Sequence, residues 1–302
     1  ILRRLRVADA YARSLVSPVQ LNRARGKIVY RIVLTAVIVI FTLVFIGPMY
    51  FLFTDGLKST QEAIAAPPTL YPHHIHPTSY VRAWNEFSLG RLLLNTLYYA
   101  FGALAFQLVF DVAAAYSLSR LRPALGNVIL AMMVVTLMIP AMVLIVPLYI
   151  TVSNLPIVHI NLIGSPAAIW LPSVANGFNI FLLKRFFDSI PVELTQAAAV
   201  DGASPMRTLR SIIIPISRPI LAVVSIFSLV AVWKDFLWPL LVEGGFNPPR
   251  ETLNVGIWVA AQTAPQNMVL AASAIAAVPT VIFFLIFQRN ILAGLTAGGI
   301  RG

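Results

Sequence analysis

The sequence predicts an all-α integral membrane protein with six transmembrane helices and both termini cytoplasmic. Three observations carry that expectation. Of the 302 residues, 59% are hydrophobic and only 11% are charged. Ordinary soluble domains are roughly 45–50% apolar and about 25% charged, so a soluble fold would leave a large apolar surplus in water. Several apolar runs reach the roughly 20 residues that a spanning helix needs. The 22 Lys+Arg residues gather in alternate connections, as the positive-inside rule requires. The absence of cysteine excludes thiol catalysis, Cys-ligated zinc and iron–sulfur chemistry.

Residues 1–30 form a basic segment that either lies on the membrane as a short amphipathic helix or hangs as a loose tail. Ile32 to Phe53 carries no charge and outruns the about 7–15 residues of a signal-peptide core, so about 31–53 is read as the first span. Leu92 to Phe110, prolonged past Asp111 to Tyr116, is the second, at about 92–116. From Pro123 to Leu183 there is no Asp, Glu, Lys or Arg. Ser153-Asn154-Leu155-Pro156 and Asn161 to Pro166 interrupt that stretch with turn residues, which splits it into spans at about 127–150 and 166–184. The last two spans are expected at about 214–242 and 268–288. Pro48, Pro140, Pro147, Pro172, Pro215, Pro239 and Pro279 predict kinks.

Arg3, Arg4, Arg6, Arg13, Arg23, Arg25, Lys27 and Arg31 precede the first span, and Arg120 and Arg122 follow the second. Lys184, Arg185, Arg207, Arg210 and Arg218 lie between the fourth and fifth. These connections are therefore cytoplasmic. The net charge of +11 is mostly topological. It suits contact with lipid phosphates rather than nucleic acid.

The outside loop, 54–91, is read as an ordered loop with short helical pieces. Its His73-His74-x-His76 cluster has no carboxylate near it in sequence and is expected to be plain surface, not a metal site. The inside loop, 185–213, has more character. Ser189 and Pro191 mark a helix start, and Glu193 suits the positive end of the dipole. Asp201-Gly202 ends that helix, and Ser204-Pro205 starts another. Leu194, Ala197, Ala198 and Asp201 fall on one face at helical spacing. Such a face suits either an ordinary interfacial helix or a docking element.

Gln196-Ala197-Ala198-Ala199-Val200-Asp201-Gly202-Ala203, closing with Ile212-Ile213-Ile214-Pro215, resembles the signature of binding-protein-dependent ABC importer permeases. Ala197, Ala198, Asp201, Gly202 and Pro215 match it. Gln196 stands in place of the usual Glu, and Ile214 in place of the usual Leu. The tail from Gln288 to Gly302, with Pro77-Thr78-x-Tyr80 and Leu94-Asn95-Thr96, is similar to the smaller permease of the maltose-type carbohydrate uptake family. The resemblance covers about residue 30 to the end.

It implies the type I permease fold of ABC importers, with 31–302 as the permease domain. It also implies a second homologous permease, two ATPase subunits and an extracytoplasmic solute-binding protein. ATP and magnesium would reside on the ATPases, and this chain would carry no cofactor. The helix from Glu193 to Gly202 would be the coupling helix. The chain has no Gly-x-x-x-x-Gly-Lys-Ser/Thr phosphate loop and is expected not to hydrolyse ATP itself.

Charged groups inside spans are costly and face the bundle or a wet cavity. Trp233-Lys234-Asp235-Phe236 mixes aromatics with charge, a combination that suits sugar rings and hydroxyls. The run is expected to border the translocation path. An interfacial aromatic belt with a structural ion pair is the other role open to it. Asn176 and Asn179 are path candidates that could equally bridge helices. Asp111 is expected to pair with an inside Arg. The alternative function is an ion-gradient-driven secondary transporter of a small polar solute.

Overall fold

The computed structural model describes residues 24–244 and 250–299, with side chains in 26–244 and 250–288. The two readings of the basic segment thus lie mostly outside the described residues, as does the tail's Ile300-Arg301-Gly302. Among the described residues every regular element is helical. Helix α1 is Ala24–Asp55, followed by α2, Thr60–Ala63, and α3, Thr78–Glu86. Helix α4, Leu89–Tyr116, ends in a π turn, Ser117–Leu121. Next come α5, Gly126–Thr136; α6, Ala141–Ser153; α7, Ala167–Trp170; and α8, Gly177–Ser189. The inside loop holds α9, Val192–Val200, and α10, Pro205–Thr208, then a π turn, Leu209–Ile213, and α11, Ile214–Ile216. Helices α12, Arg218–Lys234; α13, Leu237–Glu243; α14, Leu253–Ala261; and α15, Gln266–Gly299 complete the chain.

Among the described residues three stretches are long and apolar enough to cross a membrane unbroken: Gly26–Asp55, Leu89–Leu121 and Gln266–Gln288. Two more pass only as bent pairs. Helices α5 and α6 are bent by 109°, and Pro205–Ile216 is bent by 83° against α12. Here the structure departs from unbroken spans at 127–150, 166–184 and 214–242, and proline chemistry accounts for much of it. Pro140 cannot donate to the carbonyl of Thr136, and its ring disfavours helix in the residue before it. Pro239 stands likewise to Asp235, so the fifth segment breaks at Asp235-Phe236 and Pro239 falls in the first turn of α13. The fourth is two helices. Asn176 starts the second of them, its side chain accepting from the Phe178 and Asn179 amides at 3.0 and 3.1 Å.

Helix α4 is the hub, packed against α3, α7, α8, α12 and α14. At its C-terminal end, Val112, Ala115 and Tyr116 join Leu183, Phe187, Ile213 and Val224 in one buried cluster. At its N-terminal end, Leu89 and Leu92 pack with Trp233, Leu253, Met268 and Ala271. A third cluster gathers Tyr99, Val152, Ala168, Ile169 and Val242. Helices α1, α5 and α6 present most of their large apolar side chains outward. In a membrane chain that surface meets lipid or another apolar helix.

The outside loop is tied down by buried polar contacts. Lys58 is only 1% exposed. Its Nζ lies 2.5 Å from Asp55 Oδ1 and donates to the Thr69 carbonyl at 2.6 Å. Asn267 donates to the Lys58 carbonyl at 3.1 Å and to Ser79 Oγ at 2.9 Å, which pins the loop to α15. The fold also brings a carboxylate to the histidine cluster that sequence distance hid: His73 Nδ1 lies 2.7 Å from Glu62 Oε1. Among the described residues no three His, Cys, Asp or Glu side chains converge on a metal position.

Burial works to raise the Glu62 carboxyl. Hydrogen bonds from the His73 backbone and ring and from the Thr69 hydroxyl outweigh it, holding the group below its ordinary 4.5. A carboxyl depressed by folding stabilises above its unfolded pKa, and that stability is lost as pH falls through the folded value. Pepsin cleavage within 60–76, corrected against an unstructured peptide, should rise as pH falls from about 5 to about 3. In Glu62→Gln it should already be raised at pH 5 and change little.

Candidate functional site

Two places gather the residues that the sequence singles out: the inside loop and a cleft beside α12. In the inside loop, α9 opens after Pro191, whose extended backbone precedes the first helical residue, Val192. Ser189 belongs to the helix before it, donating its hydroxyl back to the Phe186 carbonyl at 2.6 Å. This corrects its reading as a helix start: Pro191 alone sets the entry.

The exit of α9 follows the Asp201-Gly202 expectation in detail. Gly202 sits at φ +74°, a conformation glycine adopts without Cβ strain. Its N–H donates to the Ala199 carbonyl at 3.0 Å, and the Ala203 N–H donates to the Ala198 carbonyl at 2.9 Å. These are the two bonds of a Schellman cap. Ser204 then accepts from the Arg207 N–H at 3.3 Å, with Pro205 in the first turn.

Glu193, Gln196, Ala197, Asp201 and Gly202 are exposed. Ala198 is not, at 8% exposure. The expectation that it shares an outward face with Ala197 is therefore corrected: Ala198 is turned toward its own chain, and α9 rests on that side. Leu194, Val200 and Met206 are exposed apolar groups on the same loop. Pro215 lies after the π turn, in α11, as the inside loop turns toward α12.

The base of the loop is fastened to α4. Arg120 Nη2 donates to the carbonyls of Phe187 at 2.5 Å and Ile190 at 2.6 Å. Both carbonyls lie at the C-terminal end of α8, where intrahelical donors run out, and that of Phe187 also accepts from the Ile190 N–H at 3.2 Å. Ser119 Oγ donates to Asp188 Oδ1 at 2.7 Å, and Lys184 Nζ lies 2.7 Å from Asp188 Oδ2. Helix α9 therefore starts from a clamped frame.

The cleft holds about 580 Å³ and is lined by residues of α12, α14 and α15. Trp233, Lys234 and Phe236 are in its wall, as are Asn254, Trp258, Ser273 and Thr280. The Asn254 side chain donates to the Trp233 carbonyl at 3.0 Å, fixing α14 to the end of α12. Phe236 meets Trp258 edge to face, with centroids 5.9 Å apart. Asp235 is absent from the lining: it occupies the break between α12 and α13, its N–H donating to the Val232 carbonyl at 3.3 Å. Lys234 and Asp235 form no ion pair within 4 Å.

Asn176 and Asn179 are placed together but away from the cleft lining. The Asn176 N–H donates to Asp111 Oδ1 at 2.9 Å, and Asn179 Nδ2 donates to Ser228 Oγ at 3.3 Å. Asp111 is fully buried. The expected pairing of Asp111 with an inside Arg is thereby corrected: its partner is a backbone amide at the break ahead of α8. That break frees an N–H, which a sequence read as a continuous helix does not offer.

The family model described as "Binding-protein-dependent transport system inner membrane component" matches residues 111–296. The chain belongs to this family. The permease is 30% identical over 260 residues to the sn-glycerol-3-phosphate transport system permease protein UgpE of Escherichia coli, covering 83% of this chain and 91% of that one. It is 31% identical over 258 residues to the sulfoquinovosyl glycerol transport system permease protein SmoH of Agrobacterium fabrum, covering 84% and 88%. It is 28% identical over 270 residues to the diacetylchitobiose uptake system permease protein NgcG of Streptomyces coelicolor, covering 88% and 87%. Among solved structures, a bacterial ABC transporter involved in the import of the acidic polysaccharide alginate matches in fold. Its TM-score is 0.75 at 21% identity, over 88% of this chain and 98% of that chain.

The permease is thus an inner-membrane component of a bacterial binding-protein-dependent importer, and the ion-gradient alternative is set aside. Sequence reading missed several groups in it. Asn254, Trp258, Ser273 and Thr280 reach the cleft from helices distant in the chain, and their spacing carries no signal of it. Arg120 stood out only as a topological charge. Glu243, fully buried beside Tyr99 and Arg250, was hidden by its place at the end of an apolar run.

Proposed function

We propose that this permease is one half of the membrane channel of an ATP-driven sugar importer, and that α9 is its coupling helix. It pairs with a second, homologous permease. Two ATPase subunits carry ATP and magnesium, and an extracytoplasmic binding protein delivers the solute. Six crossings with both termini cytoplasmic fit the charge distribution; the fourth is the broken segment through α7 and α8, and the fifth runs through α12 and α13. Glu193, Gln196, Ala197, Asp201 and Gly202 face the ATPase, while Ala198 and Pro215 set the frame behind them. Trp233, Lys234 and Phe236 border the path, with Asp235 shaping the break beside them. The solute carries a sugar or polyol portion, as the solutes named for the three relatives do.

The observation that carries this reading is the family match joined to the form of α9. It is short, capped at its exit, clamped at its base and outwardly apolar at Leu194 and Val200. Closure of an ATPase pair must move the spans, so the link between them has to be stiff. Purification of the tagged chain from its native membrane in mild detergent should yield a second permease and an ATPase, with hydrolysis stimulated by a binding protein. A monodisperse chain without an ATPase overturns the reading.

One variant tests α9 directly. Val200 is 89% exposed, so Val200→Asp should leave the fold's stability within about 0.5 kcal/mol. It should still cut ATPase recovery and stimulated hydrolysis at least about tenfold, since burying even an unpaired uncharged polar group costs about 1–3 kcal/mol and a charge costs more. Undiminished recovery would remove α9 from the ATPase interface.

A further inference from the structure

Resting on the reading of the cleft as part of the path, we propose that this permease selects solutes bearing an acidic substituent, with the Lys234 ammonium as their counter-charge. The cleft wall contains one charged side chain, Lys234, and no carboxylate. Lys234 is exposed. Among the described residues it takes part in no ion pair, and its Nζ donates no hydrogen bond. A lysine at a helix C-terminus can serve merely to cap the last carbonyls, but here none receives it. The adjacent carboxylate of Asp235 lies outside the cleft lining and forms no ion pair with Lys234 within 4 Å.

The rest of the wall fits the body of such a solute. Trp233, Phe236 and Trp258 offer apolar ring faces, and Asn254, Ser273 and Thr280 offer hydroxyl and amide groups. A volume of about 580 Å³ lies within the roughly 300–1,000 Å³ range of small-molecule sites. An unpaired cation at the depth of a span is costly, and a cleft built for neutral sugars gains nothing from it. A sugar or polyol carrying phosphate, sulfonate or carboxylate pairs with the ammonium and leaves the ring on the aromatics. Charge-assisted hydrogen bonds of this kind are about twice as strong as neutral ones.

The test uses the assembled complex in detergent, with tryptophan fluorescence as readout and two matched probes, glucose and glucose 6-phosphate. The expected result is a saturable change with glucose 6-phosphate at least tenfold tighter than with glucose. Lys234→Met should abolish that preference, bringing the two probes to equal apparent affinity, and Lys234→Arg should keep it. Equal responses to both probes, no response to either, or an unchanged preference in Lys234→Met overturns the proposal. ATP hydrolysis stimulated by the binding protein, measured in the same preparation, reports separately on the parent reading. Stimulated hydrolysis with no charge preference sinks only the role of Lys234, whereas absent stimulation sinks the reading of this chain as an ATPase-coupled half channel.

Discussion

Arg120→Met should uncouple the permease from its ATPase. The guanidinium holds two carbonyls, those of Phe187 and Ile190, just where α8 ends and the chain turns into α9. Each bond from a charged donor contributes about 1.5–3 kcal/mol, and losing the donor leaves the Phe187 carbonyl only its 3.2 Å bond from the Ile190 N–H. The two bonds share one nitrogen and are not additive, so a total near 3 kcal/mol is the reasonable expectation. That loss falls on the frame of the inside loop rather than on the outer clusters around Leu92 and Tyr99. The permease should therefore still reach the membrane, with its melting temperature lowered and its ATPase recovery reduced more than tenfold. Lys in place of Arg120 keeps the charge but not the planar fork, and should restore only part of the recovery. Wild-type recovery in Arg120→Met would show that the clamp does not hold α9.

Gly102→Ala should be the most damaging single-methyl addition at a described glycine of the bundle. A Cβ at Gly102 would overlap the indole of Trp170, well inside the 3.0 Å that real Cβ atoms keep. The indole has nowhere to go. Its Nε1–H donates to the Tyr99 carbonyl at 3.1 Å, and its ring stacks on Phe106 at 5.6 Å and meets Tyr98 edge-on at 5.2 Å. Overpacking a filled core costs about 1–3 kcal/mol, and a locked aromatic puts this site at the upper end. Thermal unfolding in detergent should show the loss, together with a poor yield of monodisperse protein. Gly47, with nothing within 4 Å of a built Cβ, provides the contrast. Gly47→Ala, at an open position inside α1, should leave the purified chain no less stable, with a gain of up to about 1 kcal/mol. Equal effects at the two glycines would contradict the close approach of α4 and α7.

Much of the inside loop was legible in advance because its signals are local. Asp201-Gly202 needs only a left-handed residue after a helix, and the observed cap depends on nothing farther away than Ala198. Ser204-Pro205 is equally local. Ser189 misled because the same hydroxyl that caps a helix start also bonds back within a helix end; choosing between them takes the path of the chain through Ile190. Ala198 misled for another reason. Helical spacing places Ala197 and Ala198 on neighbouring faces, but which face rests on the bundle depends on how α9 is seated.

Asp111, Asn176 and Asn179 illustrate the limit most clearly. Each was recognisable as a polar group that a membrane span must justify. Their mutual arrangement follows from the break ahead of α8, which exposes one amide to a carboxylate on α4. No periodicity announces a helix that stops within an apolar stretch.

By itself, the sequence determined the membrane class, the apolar character of its long stretches and the capped helix of the inside loop. Bulk hydrophobicity, charge and cap chemistry act over one residue or one turn, and composition or a short window contains them whole. Only the tertiary structure decided where those stretches bend, that Arg120 clamps the loop, and that Lys234 shares a cleft with Asn254, Trp258 and Thr280. Those outcomes depend on packing among helices far apart in the chain, where one proline or one buried amide changes which side chains meet.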